Sequence, residues 1–244
     1  MIEEIERSKG RDVFTQEVRD IFSQKGDATG TPLKLIELFC DTIITTNYDR
    51  LIEEAIKMRE ENTPQIINGI NALEKLAVDR VTLIKLQGDI NNPAHCILSK
   101  KQYDQAYGHN QLDMTLPIPK LLSYYYRNSS LLFLGCSLNE DRTMQVFKAV
   151  KDQIGDANRP QHFSIEQAPD DESELVDRNA QLTSLGITAI WFEKSRFEYV
   201  DSLLQLAKDE LRYNGVVPVA KKKIVENRSF IQSINRFGRK IFKR

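Results

Sequence analysis

Five short runs of apolar and β-branched residues, at 42–46 (TIITT), 81–86 (VTLIKL), 131–134 (LLFL), 162–165 (HFSI) and 187–192 (ITAIWF), set the tightest limit on how this chain can fold. Most are apolar throughout rather than alternating, the pattern of strands covered on both faces by helices. Helical spacing recurs between them. Phe14, Val18, Ile21 and Phe22 repeat at three and four, and so do Leu33, Ile36 and Phe39, after a Thr31-Pro32 start in which Thr can cap and Pro can fill the first turn. Helices are also predicted over 50–59, 71–78, 112–126, 142–154 and 199–211. Strands alternating with helices indicate an α/β fold on a mostly parallel sheet.

The composition is that of a globular chain: 244 residues, 41% hydrophobic and 28% charged, with a formal net charge of -1. No apolar run approaches the ~18–20 residues that a membrane span requires. The opening MIEEIERSKG is acidic and polar, unlike a secretory signal. Cys40, Cys96 and Cys136 are odd in number and far apart, which argues against a disulfide scaffold and for a reducing, cytoplasmic setting. There is no C-x-x-C pair, and His95, His109 and His162 are scattered, so no metal site is expected. The charge is unevenly laid out. Residues 221–244 carry nine Lys/Arg and one acid, Glu226, leaving a net -9 on the first 220. With Asn214-Gly215 and Pro218 as a turn-like linker, the expected division is a domain over 1–211 and a basic tail over 212–244. Phe230, Ile234, Phe237 and Ile241 in the tail recur at helical spacing among basic residues. Such a helix can dock on the acidic body, connect to a further fused domain, mediate homo-oligomerisation, or bind nucleic acid, the last being the less favoured reading.

In open parallel sheets ligands sit beyond the carboxyl ends of the strands. Thr46, Asn47, Tyr48 and Asp49 follow the first run; Gln87, Gly88 and Asp89 the second; Gly135, Cys136 and Ser137 the third, then Asn139 to Arg142; Glu166 and Gln167 the fourth. Gly88 and Gly135 can let backbone approach a ligand, and Ser137 and Asn139 precede a helix whose free N–H groups can hold phosphate. Plainer roles stand beside these. Asn47 and Asp49 can cap the next helix, the glycines can be simple turns, Cys136 reads as a small buried residue, and Glu166 as solvated. Three strand ends with the same chemistry favour one shared polar pocket.

The residues also resemble the sirtuin-like superfamily. TTNYDRLIEEA is similar to its asparagine-aspartate motif, KLQGDINNP to its histidine-glycine motif, and LLFLGCSLNEDRT to its glycine-serine loop with the Asp-Arg-Thr of bacterial members. HFSIE and LGITAIWFE look like its last two strands, and the likeness runs over 12–211. It implies a Rossmann-like sheet with helices on both faces. The absence of zinc cysteines points to the bacterial branch, whose members are mostly NAD-hydrolysing domains in defence against phage.

By that resemblance NAD lies across the strand ends, with no metal. Asn47 bonds the nicotinamide ribose or orients water, and Asp49 places the carboxamide. Gly135 and Ser137 contact the adenosine and phosphate side, and Thr46, Gly88 and Cys136 complete the binding set. The implied reaction cleaves the N-glycosidic bond to give nicotinamide and ADP-ribose. The motif's catalytic histidine falls on Gln87, whose amide cannot accept a proton near neutral pH. A catalytically silent NAD or ADP-ribose sensor is therefore the alternative. The family's opening strand and glycine-rich phosphate turn are not recognisable in the first forty residues, so an N-terminally incomplete domain is expected.

Overall fold

The computed structural model describes residues 2–22, 28–39, 41–59, 64–71, 81–136, 138, 142–155 and 159–216. Predicted features at Cys40, Ser137, 139–141, most of the 71–78 helix and the tail over 221–244 lie outside these residues. Two compact units divide between Ile118 and Pro119.

The first unit opens with helices α1 (Ile2–Lys9), α2 (Arg11–Phe22) and α3 (Thr31–Leu38). Gly30, not Thr31, takes the N-cap position of α3, with no side-chain cap bond. Thr31 and Pro32 form the first turn, where a proline lacking its N–H costs nothing. Then come β1 (Thr42–Thr45), α4 (Leu51–Arg59), β2 (Gln65–Asn68), β3 (Thr82–Lys85) and α5 (Lys100–Tyr107). The three strands are parallel in the order β1-β3-β2, with Thr45 paired to Lys85 and Asn68 to the same residue. β3 is central and buried at all four positions. β2 was not predicted: QIIN is short, at a sheet edge, and leaves Ile66 40% exposed, so no apolar run announces it.

Successive strand residues point to opposite faces. Leu83 packs in a core with Ile36, Ala55 and Ile56, so its face of β3 meets α3 and α4. Lys85 shares that face, two residues on. Its side chain is wholly buried, and its Nζ donates to Glu53 Oε1 (2.8 Å), the Tyr48 carbonyl (3.0 Å) and the Asp49 carbonyl (2.5 Å), with Asp89 Oδ1 at 3.6 Å. A buried ammonium is tolerated only when paired and fully hydrogen-bonded. This one ties α4 and the turn after β3 to the loop after β1.

Helix α6 (Pro117–Asn128) spans the division between the units. Its start is later than predicted. Asp113 instead accepts bonds from the N–H and hydroxyl of Thr115 in a turn, and Pro117 and Pro119 fit only an opening turn. The second unit continues with β4 (Leu132–Leu134), α7 (Arg142–Ile154), β5 (His162–Gln167), α8 (Glu172–Ser184), β6 (Ile187–Phe192) and α9 (Glu198–Tyr213). Its strands are parallel in the order β4-β5-β6. The expected α/β architecture with parallel strands and intervening helices is present, carried by two three-stranded sheets. Helices α1, α5 and α8 were not predicted; α8 buries only Leu182 and so shows little apolar periodicity.

His162 is fully buried beside Tyr126, ring centroids 4.4 Å apart, and its Nδ1 accepts the Leu131 N–H at 3.2 Å. Burial, reinforced by the charge of Arg159, lowers its pKa from 6.5 to about 4. Between those values the unfolded chain binds a proton that the folded chain does not. Stability therefore rises with pH across the window and falls on acidification, by up to about 3 kcal/mol from this residue. Urea unfolding at neutral pH and at about pH 4.5 should show this loss, and His162→Gln should flatten it; an unchanged slope would refute the assignment. For the buried cation, Lys85→Met strands the Glu53 carboxylate and should lower the unfolding free energy by about 3–5 kcal/mol. Adding Glu53→Leu should recover part of that loss, and no recovery would mean that the pair is not what the first change breaks.

Candidate functional site

The paired ends of β1 and β3 fix where the candidate residues leave the sheet. Asn47 and Gln87 each stand two residues beyond the register pair Thr45/Lys85, so they depart from neighbouring strands at the same level. The ladder runs one step further, from the Leu86 N–H to the Thr45 carbonyl (2.9 Å). Thr45 Oγ1 accepts the Asn47 N–H at 3.0 Å and sets the exit of the loop. Thr46 and Asn47 are exposed, and the Asn47 amide makes no hydrogen bond to the described residues.

Asp49 is half-buried. Its Oδ1 accepts the Leu51 N–H at 3.0 Å, so it has the capping role that its position before α4 suggested. Its Oδ2 has no bond to the described residues.

Tyr48 points the other way and reaches the second strand tip. Its hydroxyl lies 2.6 Å from the Ile97 carbonyl oxygen and 3.0 Å from the Gln87 side-chain amide. Its carbonyl accepts from Lys85 Nζ and from the Ile90 N–H (3.2 Å). Phe22 of α2 packs on the ring, centroids 5.3 Å apart. Burial holds the phenol above the usual tyrosine range, so it is neutral at any physiological pH.

The segment after β3 is equally constrained. The Gly88 N–H returns to the Lys85 carbonyl (3.2 Å), and the Ile97 N–H donates to the Gln87 carbonyl (2.8 Å). Gly88 has φ +101°, and a Cβ there would sit 2.8 Å from Cys96 Cα. Only glycine fits that approach, so Gly88 is a packing turn. Asp89 Oδ1 accepts from the N–H and the side chain of Asn91. The Cys96 thiol is buried against the Asp89 carbonyl and pushed up to about 11 by burial, then by Asp89, so it is no nucleophile. His95 bonds Asn92 and His109 lies near Asp104.

The third motif belongs to the second unit and is taken by itself. Gly135 has φ +66° and nothing within 4 Å of where a Cβ would be, so it is an open turn. Cys136 is exposed, contrary to its reading as a small buried residue, because the turn carries it out of the sheet. Glu166 is also not solvated. Arg178 Nη2 donates to its Oε2 (3.4 Å), and burial raises its pKa despite that cation. Arg178 Nη1 donates to the Leu138 carbonyl (3.0 Å), joining that residue to α8.

Sequence reasoning passed over Lys85 and Glu53 as site-building residues, and it named Tyr48 at the strand end without its bridge to Gln87 and Ile97. Lys85 was visible as the only charge in an apolar run, and such a charge requires a buried partner. Among the described residues no group of histidine, cysteine or carboxylate side chains could hold a metal ion, and no helix is long and apolar enough to cross a membrane.

Curated relatives match about two thirds of the chain. An NAD(+) hydrolase ThsA from Bacillus cereus (strain MSX-D12) is 29% identical over 174 residues, 68% of this chain and 34% of the relative. Its namesake from Cytobacillus dafuensis is 29% identical over 151 residues, 62% and 29% of the two chains. The Enterococcus faecium protein of that name is 24% identical over 161 residues, 66% and 32%. The chain thus spans about a third of the length of these relatives. Residues 41–190, from the residue before β1 to the middle of β6, match the model of the SIR2-like domain, and with more than half of its length so matched the chain belongs to the SIR2-like family.

Proposed function

We propose that the loops after β1 and β3 hold the nicotinamide-ribose end of NAD and that the chain derives from an NAD-cleaving enzyme. The observation that carries this reading is the junction of the two strand tips. An exposed Asn47 amide with no hydrogen bond to the described residues stands at the same sheet level as Gln87, and Tyr48 bridges the loops. The NAD(+) hydrolases among the relatives support the choice of dinucleotide.

In the proposed reaction water attacks the anomeric carbon as the bond to nicotinamide breaks, giving nicotinamide and ADP-ribose. The Asn47 amide orients the water or a ribose hydroxyl, and Asp49 Oδ2 is the atom left to meet the carboxamide. The transition state is oxocarbenium-like, so placement of dipoles around the sugar lowers the barrier. Gln87 accepts a hydrogen bond but takes no proton, and the proton released by water must pass to solvent. General-base help is worth ~10²–10⁴ in rate. The chain is thus a slow hydrolase or a nucleotide-holding module, acting in defence against phage as the resemblance implies.

Nicotinamide release from NAD separates these outcomes. Gln87→His should raise the rate by at least ~10²-fold, and Asn47→Ala in that background should remove the gain. NAD should also raise the melting temperature of the unchanged protein. Neither release nor thermal protection, in either form, would refute NAD as ligand.

A further inference from the structure

A phenol has one proton, and two acceptor positions lie within reach of the Tyr48 hydroxyl: the Ile97 carbonyl oxygen at 2.6 Å and the Gln87 side-chain amide at 3.0 Å. Both cannot be served. Two oxygens 2.6 Å apart require a proton between them, so the Tyr48 proton lies on the Ile97 side. Tyr48 then offers Gln87 only lone pairs, and a bond needs a donor from Gln87. The O and N ends of an amide are alike in shape, and the network decides which is which. A separation of 3.0 Å is the ordinary length for N–H···O. With nitrogen toward Tyr48, every group is satisfied: Tyr48 donates to Ile97, and Gln87 donates to Tyr48. The other end of the amide, which makes no bond to the described residues, is then the carbonyl oxygen.

We infer that Tyr48 is a positioning residue that fixes the Gln87 amide with its nitrogen inward and its carbonyl oxygen outward, as a permanent acceptor for a sugar hydroxyl. Tyr48 can do this because it is itself immobile. Its carbonyl is held by Lys85 and Ile90, its ring by Phe22, and its proton by Ile97, whose own N–H closes on the Gln87 carbonyl. A half-buried glutamine has freely turning outer torsions, and without this clasp either end of the amide would meet a ligand. The ligand selected is one that donates from a hydroxyl, such as the ribose diol of NAD or ADP-ribose. That part rests on the proposed function; the orientation of the amide does not.

Two readouts on the full chain keep the parts distinct. In protein labelled with nitrogen-15 glutamine, one side-chain amide proton of Gln87 should exchange more slowly than those of exposed Gln145 and show a contact to the Tyr48 ring. Tyr48→Phe, which keeps the ring against Phe22, should abolish that protection. Fast exchange at Gln87 in the unchanged protein would overturn the orientation whatever the ligand. In titration with NAD or ADP-ribose, Tyr48→Phe should weaken binding about fivefold, the worth of one ordering hydrogen bond. Unchanged affinity in a variant that has lost the amide signature would overturn the positioning role. If the unchanged protein binds neither nucleotide, the NAD reading falls while the exchange measurement still decides the amide.

Discussion

One ammonium group out of reach of water organises the first unit. Lys85 has no solvent, so it must collect acceptors from every element within reach. It takes two consecutive carbonyls from the loop after β1, a carboxylate from α4 and a second from the turn that follows its own strand. None of these contacts is cheap to lose, because each lost partner leaves buried charge. The loops that leave β1 and β3 are therefore not free to move apart. Their common geometry follows from settling a buried charge, and the proposed site at their tips would inherit a rigidity that is required in any case.

The second unit solves a related problem with a guanidinium. Arg178 on α8 joins the Leu138 carbonyl after β4 to Glu166 at the end of β5, with Gln181 of its own helix closing the set at 2.7 Å. Burial still raises the Glu166 pKa, so desolvation outweighs the attraction of the cation. In each unit a cation near the strand ends joins residues on separate elements. The planar fork of arginine suits carbonyl and carboxylate acceptors on different elements, whereas the point charge of lysine suits carbonyls that converge.

Much of this was legible from residue order. All five apolar runs are strands, with bounds moved by a residue or two, because a strand covered on both sides needs apolar residues at every position. What escaped prediction had weak apolar signatures for physical reasons. β2 is an edge strand of four residues, and α8 turns nearly all of its length to solvent. The candidate site was legible in part. Asn47 and Gln87 do leave adjacent strands together, but Gly88 serves backbone packing and Asp49 spends one oxygen on a helix cap. Cys136 misled because a cysteine following an apolar run looks buried, and only the turn at Gly135 reveals otherwise. Tyr48 was hidden more deeply. Its role depends on Ile97, far along the sequence, and no local pattern encodes that meeting.

The exchange of imidazole for amide at position 87 is then a narrower change than it first looks. A neutral imidazole carries an N–H on one edge and a lone pair on the other, and which nitrogen holds the proton is set by the partner of the other. A Tyr48 oxygen whose own proton is committed to Ile97 would fix a histidine with its N–H inward and its lone pair outward. It fixes the glutamine amide in the same sense, N–H inward and acceptor outward. On the proposed reading, the hydrogen-bond pattern offered to a sugar would be preserved, and only the basicity behind it would be lost. Binding and proton transfer are, on that reading, separable properties of this position, and Gln87 would retain the first without the second. A clasp that still orients an acceptor is of use to a chain that must hold the sugar, whether or not it goes on to cut it.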